Sequence, residues 1–256
     1  MLTHAPEAPA QSAPPGGQTG ATNVGRAAKA SSRTGGQPTA TVSIIVSYDG
    51  TPNDDDALAL GRALARGGAA LALAYVRHSQ EFDPRREELA EHDAQRRLEQ
   101  GASWLNDESV TRHVVVHPST WEGLAALAAE QDAAMIVFGS DYRTPPGSVS
   151  PGTSAQHLLE GGPVAVAVAP AGIRTMDDFR IGTIAAADEE AQASARVLAE
   201  SLGAEVLDGE AGDLVVVGSA PGTATGRIGL SGTVRNRLSG ARGPVVVVPA
   251  GTTLRL

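Results

Sequence analysis

Residues 134–139 read AMIVFG and residues 163–168 read PVAVAV. The same order returns later in the chain, as LVVVG at 214–218 and PVVVV at 244–248. Short continuous apolar runs rich in valine, one of them closed by glycine, are typical of buried strands. Because the two pairs recur in one order, the sequence predicts two copies of a single α/β unit.

Segments with helical spacing alternate with these runs upstream. In residues 53–67, leucines at positions 58, 60 and 64 mark one face of a helix, and residues 84–105 are charged and amphipathic. Strands that are apolar throughout and separated by helices indicate a parallel sheet covered on both faces. The first half is predicted to contain strands at 42–48, 70–76, 113–116, 134–138 and 163–168, and helices at 53–67, 84–105, 119–131 and 152–160.

The second half repeats this order in a shorter form. Its strand at 181–187 ends at Asp188, as the strand at 42–48 ends at Asp49, and a helix follows at 189–202. Counterparts of residues 80–131 are missing, so residues 204–207 are interpreted as an extended stub or an edge segment and not as a full copy of 70–76. The predicted fold class is α/β, with two repeats of an open parallel-sheet α/β sandwich and a truncated second repeat.

The domain boundaries follow from this repeat. A full unit is predicted at residues 41–172 and a truncated unit at 178–251, with the strands at 163–168 and 244–248 joining them. Residues 1–40 are rich in Pro, Gly, Ala, Ser and Thr and lack Ile, Phe, Tyr and Trp. Such a segment buries too little apolar area to offset its ordering entropy, so it is predicted to be a disordered tail.

Composition excludes several classes of protein. The chain has a formal net charge of −9, no cysteine and only three Phe, two Trp and three Tyr among 256 residues. The acidic balance and the few aromatic residues argue against nucleic-acid binding, and the missing cysteines exclude a thiol nucleophile. No apolar run is long enough to span a membrane, and the N-terminus lacks the apolar core of a secretory signal. We therefore expect a cytoplasmic protein.

Two loops carry the pattern of a phosphate-binding site. Gly139 and Gly218 follow strands, and each loop leads to a helix that opens with Gly-Thr, at 152–153 and 232–233. Glycine lets backbone amides approach a phosphate, and the start of a helix supplies oriented N–H groups. A glycine turn followed by a threonine helix cap would give the same sequence pattern without binding any ligand. Two copies at matching positions favour nucleotide binding.

These residues resemble the universal stress protein (UspA-like) family in a tandem form with a truncated second repeat. The family has a strand ending in Val-Asp-Gly-Ser and a loop Gly-x2-Gly-x9-Gly-Ser/Thr, matched here by SIIVSYDGTP at 43–52 and by the loop from Gly139 to Thr153. The resemblance covers residues 42–170 well and 180–249 in part. It implies an adenine-nucleotide alpha-hydrolase-like fold and ATP as the bound cofactor.

The resemblance also implies which residues bind the nucleotide. Asp49 and Val76 would face the base and ribose, and the phosphates would be held by Gly139, Gly152, Thr153 and Ser154. The matching positions of the second copy are Asp188, Gly218, Gly222, Gly232 and Thr233.

Some residues depart from the family pattern. Tyr142 stands where the loop has its second glycine, and Pro145, Pro146 and Pro151 remove N–H donors. The run Asp54–Asp56 would repel a triphosphate unless a divalent cation such as Mg²⁺ lay between them. No catalytic or metal-binding residues are predicted.

The predicted function is that of a nucleotide (ATP)-binding stress-response regulatory protein without fast catalysis. Its enzyme status stays open, with weak ATP hydrolysis as the most that is expected, because no base or nucleophile is arranged for turnover. The alternative is a protein of the same fold that has lost nucleotide binding and acts through protein–protein interaction. The expected partners are an adenine nucleotide and a second copy or a protein partner, with no nucleic acid and no membrane.

Overall fold

The computed structural model describes residues 42–209 and 211–256; the predicted tail at 1–40 lies outside them. The elements are β1 (Ser43–Ser47), α1 (Pro52–Ala65), β2 (Ala70–Arg77), α2 (Pro84–Leu105), β3 (Thr111–Val116), α3 (Thr120–Glu130), β4 (Ala133–Phe138), α4 (Thr153–Leu159), β5 (Ala165–Val168), a 3-10 turn (Ile173–Thr175), β6 (Thr183–Ala186), α5 (Glu189–Leu202), β7 (Glu205–Asp208), β8 (Leu214–Val217), α6 (Gly232–Gly240) and β9 (Val245–Val247). In the described part of the chain, no helix is both long and apolar enough to cross a membrane.

All nine strands form one sheet in the order β3-β2-β1-β4-β5-β9-β8-β6-β7. The pairs within each half are parallel, and β5 and β9 are antiparallel. The predicted α/β fold with a mostly parallel sheet is confirmed. The expectation that 163–168 and 244–248 join the halves is confirmed as well, because Val166 pairs with Val247 and Val168 with Val245.

A link of five residues connects β7 to β8 where the first half uses α2, β3 and α3. Asp213 fixes the end of this link, because its Oδ2 accepts hydrogen bonds from the backbone N–H groups of Gly182 and Thr183. Gly212 passes close to the backbone of β6, where a side chain would crowd the Ala185 nitrogen. The link therefore crosses β6 closely and leaves β7 at the sheet edge, as predicted for 204–207.

Apolar layers lie on both faces of the sheet. Helices α1, α2 and α5 bury Leu58, Leu98 and Leu198 against one face. Helices α3, α4 and α6 cover the other face with Leu124, Leu158 and Leu238. Since these layers cover the inner strands, the carboxyl ends of the strands are the places where a parallel sheet offers a ligand site.

Asp56 is a charged residue that the sandwich encloses completely. Its Oδ2 accepts hydrogen bonds from the Gly172 N–H at 2.9 Å and from Arg174 Nη1 at 2.6 Å, and its Oδ1 accepts one from the Arg174 N–H at 2.8 Å. The carboxylate is inaccessible to solvent. It therefore ties α1 to the segment that leaves β5.

Asp56→Ala should lower the free energy of unfolding by about 3 kcal/mol, because it leaves buried N–H donors without an acceptor and Arg174 without its counterion. Asp55→Ala is the matched control on the next residue, since Asp55 accepts one 3.3 Å hydrogen bond from the Tyr48 hydroxyl. Urea denaturation of both variants measures the difference. Equal losses would mean that Asp56 has no special role.

Candidate functional site

The two predicted sites lie at opposite ends of the strands. The strands of a parallel block all have their carboxyl ends on the same side, and β5 and β9 run in opposite directions. Consequently the ends of β1 and β4 face one way and those of β6 and β8 face the other. Each half therefore has its own candidate site, formed by the loops after its own strands.

The glycine loops of the two halves have the same backbone structure. Ser140 Oγ donates to the Ala169 carbonyl at 2.6 Å, and Ser219 Oγ donates to the Val248 carbonyl at 2.7 Å. The Ser150 N–H donates to Ser140 Oγ, just as the Gly229 N–H donates to Ser219 Oγ. Each serine thus closes its loop against the strand that follows, so both loops are preformed.

This correspondence corrects the predicted alignment of the helix starts. The Gln156 N–H donates to the Gly152 carbonyl, and the Arg235 N–H donates to the Ser231 carbonyl at the same offset in residue number. Gly152 is therefore matched by Ser231 and not by Gly232. The alignment of Gly-Thr with Gly-Thr is wrong by one residue, and Thr233 is the counterpart of Ser154.

The pairing of Asp49 with Asp188 is also wrong. Ile44 of β1 pairs with Met135, and Ile184 of β6 pairs with Leu214, so that counting along the strands places Asp188 opposite Tyr48. Asp188 is the N-cap of α5, and its Oδ1 accepts a hydrogen bond from the Ala191 N–H at 2.9 Å. Asp49 lies in a loop before the α1 cap, Thr51. The two aspartates have different structural roles.

Gly139 and Gly218 lie directly beneath the first turn of a helix. A methyl group at Gly139 would overlap the carbonyl of Asn53, and one at Gly218 would overlap Asp188 and Glu190. The Gly218 N–H donates to both carboxylate oxygens of Asp188, at 3.2 and 3.1 Å. Predicted as phosphate-binding residues, these glycines instead allow a close approach of helix and loop, and the Gly218 amide already has an acceptor.

In the first half, the two predicted base and ribose contacts differ in exposure, because Asp49 is exposed and Val76 is buried. Val76 is 4 % exposed and packs in the core. Asp54 Oδ2 accepts hydrogen bonds from the N–H groups of Asp49 and Thr51, and Arg97 Nη1 donates to the Asp49 carbonyl. These bonds hold the loop after β1 against the start of α1.

The other first-half residues lie around the start of α4. Gly152 is the N-cap, and Thr153 and Ser154 are the first residues of this seven-residue helix. Asn53 Nδ2 donates to the Ser140 carbonyl at 2.8 Å and so closes the gap between α1 and the loop. Tyr142 points outward, 72 % exposed beneath the guanidinium of Arg143. The Tyr142 side chain therefore does not occupy the loop.

The second half has a pocket of about 560 Å³ at the ends of β6 and β8. Predicted residues Asp188, Gly218 and Thr233 line it, whereas Gly222 and Gly232 are exposed beside it. The full lining comes from the start of α5, the loop after β8 and the start of α6: Asp188, Glu189, Glu190, Gly218, Ser219, Ala220, Pro221, Ser231, Thr233, Val234 and Arg237.

The walls of this second-half pocket differ in charge. Three carboxylates stand on the α5 side, and Glu190 Oε1 accepts a hydrogen bond from the Gly251 N–H at 2.9 Å. The α6 side carries Thr233 and Arg237, with Arg237 Nη1 3.5 Å from Asp188 Oδ2. Thr233 also lies in the first turn of α6, whose N–H groups have no acceptor within the helix. The pocket can accept donors on one wall and an anion on the other.

Sequence reasoning missed Ser231 and Arg237. Ser231 Oγ caps α6 by accepting a hydrogen bond from the Val234 N–H at 3.1 Å. A serine directly before Gly232-Thr233 is a cap signal that could have corrected the alignment. Arg237 lies one helical turn after Thr233, and that four-residue spacing on a helix was the signal for it. Across residues 42–209 and 211–256, no three His, Asp or Glu side chains gather as metal ligands.

The first-half loop holds a cluster of acids whose pKa values are raised. Desolvation and the nearby charge of Asp54 raise the pKa of Asp49, while Arg97 opposes the shift. Desolvation also raises the pKa of Asp54 and of Asp55, and burial beside Asp55 raises the pKa of the Tyr48 hydroxyl. The charged forms of these carboxylates are therefore unfavourable here, which disfavours a further anion.

Comparison with known proteins agrees with this architecture. The sequence profile described as the universal stress protein family matches residues 42–170, half of the chain. This chain therefore belongs to the universal stress protein family. No curated relative matches the sequence.

Solved structures show the same fold over most of the chain. A universal stress protein from Archaeoglobus fulgidus DSM 4304 is 12 % identical, with a TM-score of 0.62 over 82 % of this chain and 98 % of that one. A putative universal stress protein from Pseudomonas aeruginosa UCBPP-PA14 is 16 % identical, with a TM-score of 0.52 over 82 % and 93 % of the two chains. At such identities the likeness concerns the fold alone.

Substitution by alanine should destabilise the protein at one glycine of the predicted motif and leave its stability unchanged at another. Gly139→Ala should destabilise the fold by several degrees in melting temperature, because the methyl group would meet the backbone of Asn53. Gly152→Ala is the matched control, since a methyl group there meets no atom within 4 Å. Thermal unfolding followed by circular dichroism measures both, and a stable Gly139→Ala would contradict the close approach.

Asp49→Asn should raise the melting temperature at pH 7, because folding raises the pKa of this carboxyl and so disfavours its charged form. The gain in melting temperature should shrink as the pH falls through the raised pKa, where the wild-type carboxyl takes up its proton.

Asp107→Asn is the opposite case, since hydrogen bonds from Ser109 lower the pKa of Asp107. Asp107→Asn should therefore lower the melting temperature at pH 7, and this difference from wild type should disappear in acid, where Asp107 is protonated.

Proposed function

We propose that this protein is a stress-response regulator that binds an adenine nucleotide in the second-half pocket, without fast turnover. Membership of the universal stress protein family supports the class of function. The observation that carries the choice of site is the pocket of about 560 Å³ between α5 and α6, which holds predicted residues and a cation. Its volume lies in the usual range for small-molecule sites.

The two walls suggest how a nucleotide would lie. The phosphate would sit at the α6 side, where Thr233 offers a hydroxyl and a backbone N–H and Arg237 offers its guanidinium. The carboxylates of Asp188, Glu189 and Glu190 would accept hydrogen bonds from ribose hydroxyls and the adenine amino group. Each part of the nucleotide then meets a wall of the complementary kind.

ATP, the ligand that the family resemblance implies, places a condition on this site. Its outer phosphates would approach the carboxylates of the α5 wall, which repel them in a partly desolvated pocket. A bound Mg²⁺ would bridge phosphate and carboxylate oxygens, the ligands that this ion prefers. ATP binding is therefore proposed to need Mg²⁺, whereas a nucleotide with one phosphate would bind without it.

The alternative is that the protein has lost nucleotide binding and acts through a protein partner. The first half favours this interpretation for its own site, because Asn53 closes the gap to Ser140 and the acids of the β1 loop disfavour an anion. The proposal therefore assigns binding to the second half, with one nucleotide per chain.

Calorimetric titration with AMP and with ATP, each with and without Mg²⁺, tests the proposal. We expect one nucleotide per chain, and Arg237→Gln should weaken binding about ten-fold through the loss of a charge-assisted hydrogen bond. Arg235→Gln is the matched control, because Arg235 lies on the same helix but pairs with Glu160 at 2.8 Å, outside the pocket. Saturable binding of none of these ligands would favour the protein-interaction alternative.

A further inference from the structure

Within the described residues, the sheet has two open edges, formed by β3 and β7. Strand β3 is the longer one, with six residues against four, and it carries Val114, Val115 and Val116 in succession. Val116, at the end of this apolar run, is 46 % exposed. An edge of this kind presents unpaired backbone groups beside apolar side chains, so that a strand from another chain can add to it.

The backbone of β3 faces outward at every second residue. The His117 N–H, directly after the strand, donates to the Arg77 carbonyl of β2. Because a strand turns its backbone groups to alternate sides, the odd-numbered residues of β3 bond to β2. The N–H and carbonyl groups of Arg112, Val114 and Val116 therefore point away from β2, at the edge of the sheet.

The side chains of these outward-facing residues lie on the face of the sheet that α2 covers. Val114 packs against the apolar layer beneath α2. Together with Arg112 it lines a cavity of about 330 Å³ at this edge, to which α2 contributes Glu91 and Glu99. Arg112 is exposed and forms no ion pair within the described residues. The β3 edge thus combines valine side chains, a cation and the carboxylates of α2.

We propose that two copies of the chain pair antiparallel through β3, with Val114 on the two-fold axis, so that the two sheets become one. In this register Arg112 of each subunit lies opposite Val116 of the partner subunit, and each opposed pair exchanges two hydrogen bonds through its outward-facing backbone groups. The basic end of each strand then meets the valine end of the other, so that no like charges oppose each other. This surface lies at the far end of the strand order from the second-half pocket, and the inference does not depend on nucleotide binding.

The charges of α2 favour this register. Val116 pairs with Arg77 of β2, whose guanidinium donates to both Glu87 and Glu91. Two carboxylates therefore share one buried cation, which leaves one excess negative charge beside Val116. The partner's Arg112, opposite Val116, brings a second cation to the same face of the sheet. Such complementary charges favour the correct alignment of two surfaces.

The β7 edge does not favour self-pairing. Glu205 and Asp208 stand at the two ends of this strand, and both are exposed. An antiparallel pairing of β7 with the same strand of a second copy would place Glu205 opposite Asp208 of the partner subunit. Like charges directly opposite each other destabilise a sheet, and charged residues are a common protection of edge strands. We therefore assign the interface to β3.

Sedimentation velocity of the full chain over a range of protein concentrations tests this interface. We expect a dimer that dissociates on dilution and no larger species, because a two-fold contact closes on itself. Val116→Lys should weaken the dimer about ten-fold, because its ammonium group would face the partner's Arg112 and compete with it for Glu91. Val116→Glu is the matched variant, since it loses the same valine but offers the partner's Arg112 a carboxylate. The dimer should therefore persist in Val116→Glu.

Val206→Lys is the control on the β7 edge, since Val206 is 38 % exposed there, and it should leave the dimer unchanged. Circular dichroism of each variant checks that the fold is intact. A monomeric wild type would overturn the inference, whether residues 1–41 or a different protein cover the edge instead. Equal effects of the two Val116 variants would rule out this register. Growth beyond a dimer, or dissociation by Val206→Lys, would mean that β3 pairs with β7 and that the two-fold contact is wrong.

Discussion

The antiparallel pairing of β5 with β9 is the contact on which the rest of the structure depends. Val166, Ala167 and Val168 pair with Val247, Val246 and Val245, and all six are buried. Separated from each other, the halves would each expose a row of unpaired backbone groups flanked by valine side chains. The pairing removes both edges at once. It also turns the two parallel blocks in opposite directions, so the candidate site of each half consists of that half's own loops.

The difference between the two sites begins with the length of one connection. Between β1 and α1 the chain uses the residues 48–51, whereas between β6 and α5 it uses only Ala187 and Asp188. The longer loop lets Asp49 and Asp54 gather beside each other, and Asn53 reaches Ser140. In the second half the short connection makes Asp188 the N-cap of α5, and its carboxylate accepts a hydrogen bond from the Gly218 N–H. A pocket forms beside this anchored turn and α6.

The sequence was sufficient for the order of the elements, because a buried parallel strand must be apolar throughout and a covering helix must have one apolar face. Helix α5 and strand β8 occur at the predicted positions. The candidate site was predictable only in part, because glycine and serine occur both in phosphate-binding loops and as ordinary helix caps. Gly232-Thr233 resembles Gly152-Thr153 by identity, yet a serine can cap a helix as well as a glycine can, which moved the true match to Ser231. The contact between Asn53 and Ser140 joins segments that are 87 residues apart, so no local sequence pattern predicts it.

The truncation of the second half explains why its site is the open one. Removing a helix, a strand and a helix would expose the face of β6 and β8, but the link through Gly212 and Asp213 crosses closely over β6 and leaves Ala185 fully buried. The link is too short to extend over α6 as α3 extends over α4. Among the described residues, what remains uncovered is the strip along α6 between Thr233 and Ala241. In the described residues, the shortened repeat thus keeps its core buried while a cavity stays open next to the charged pocket.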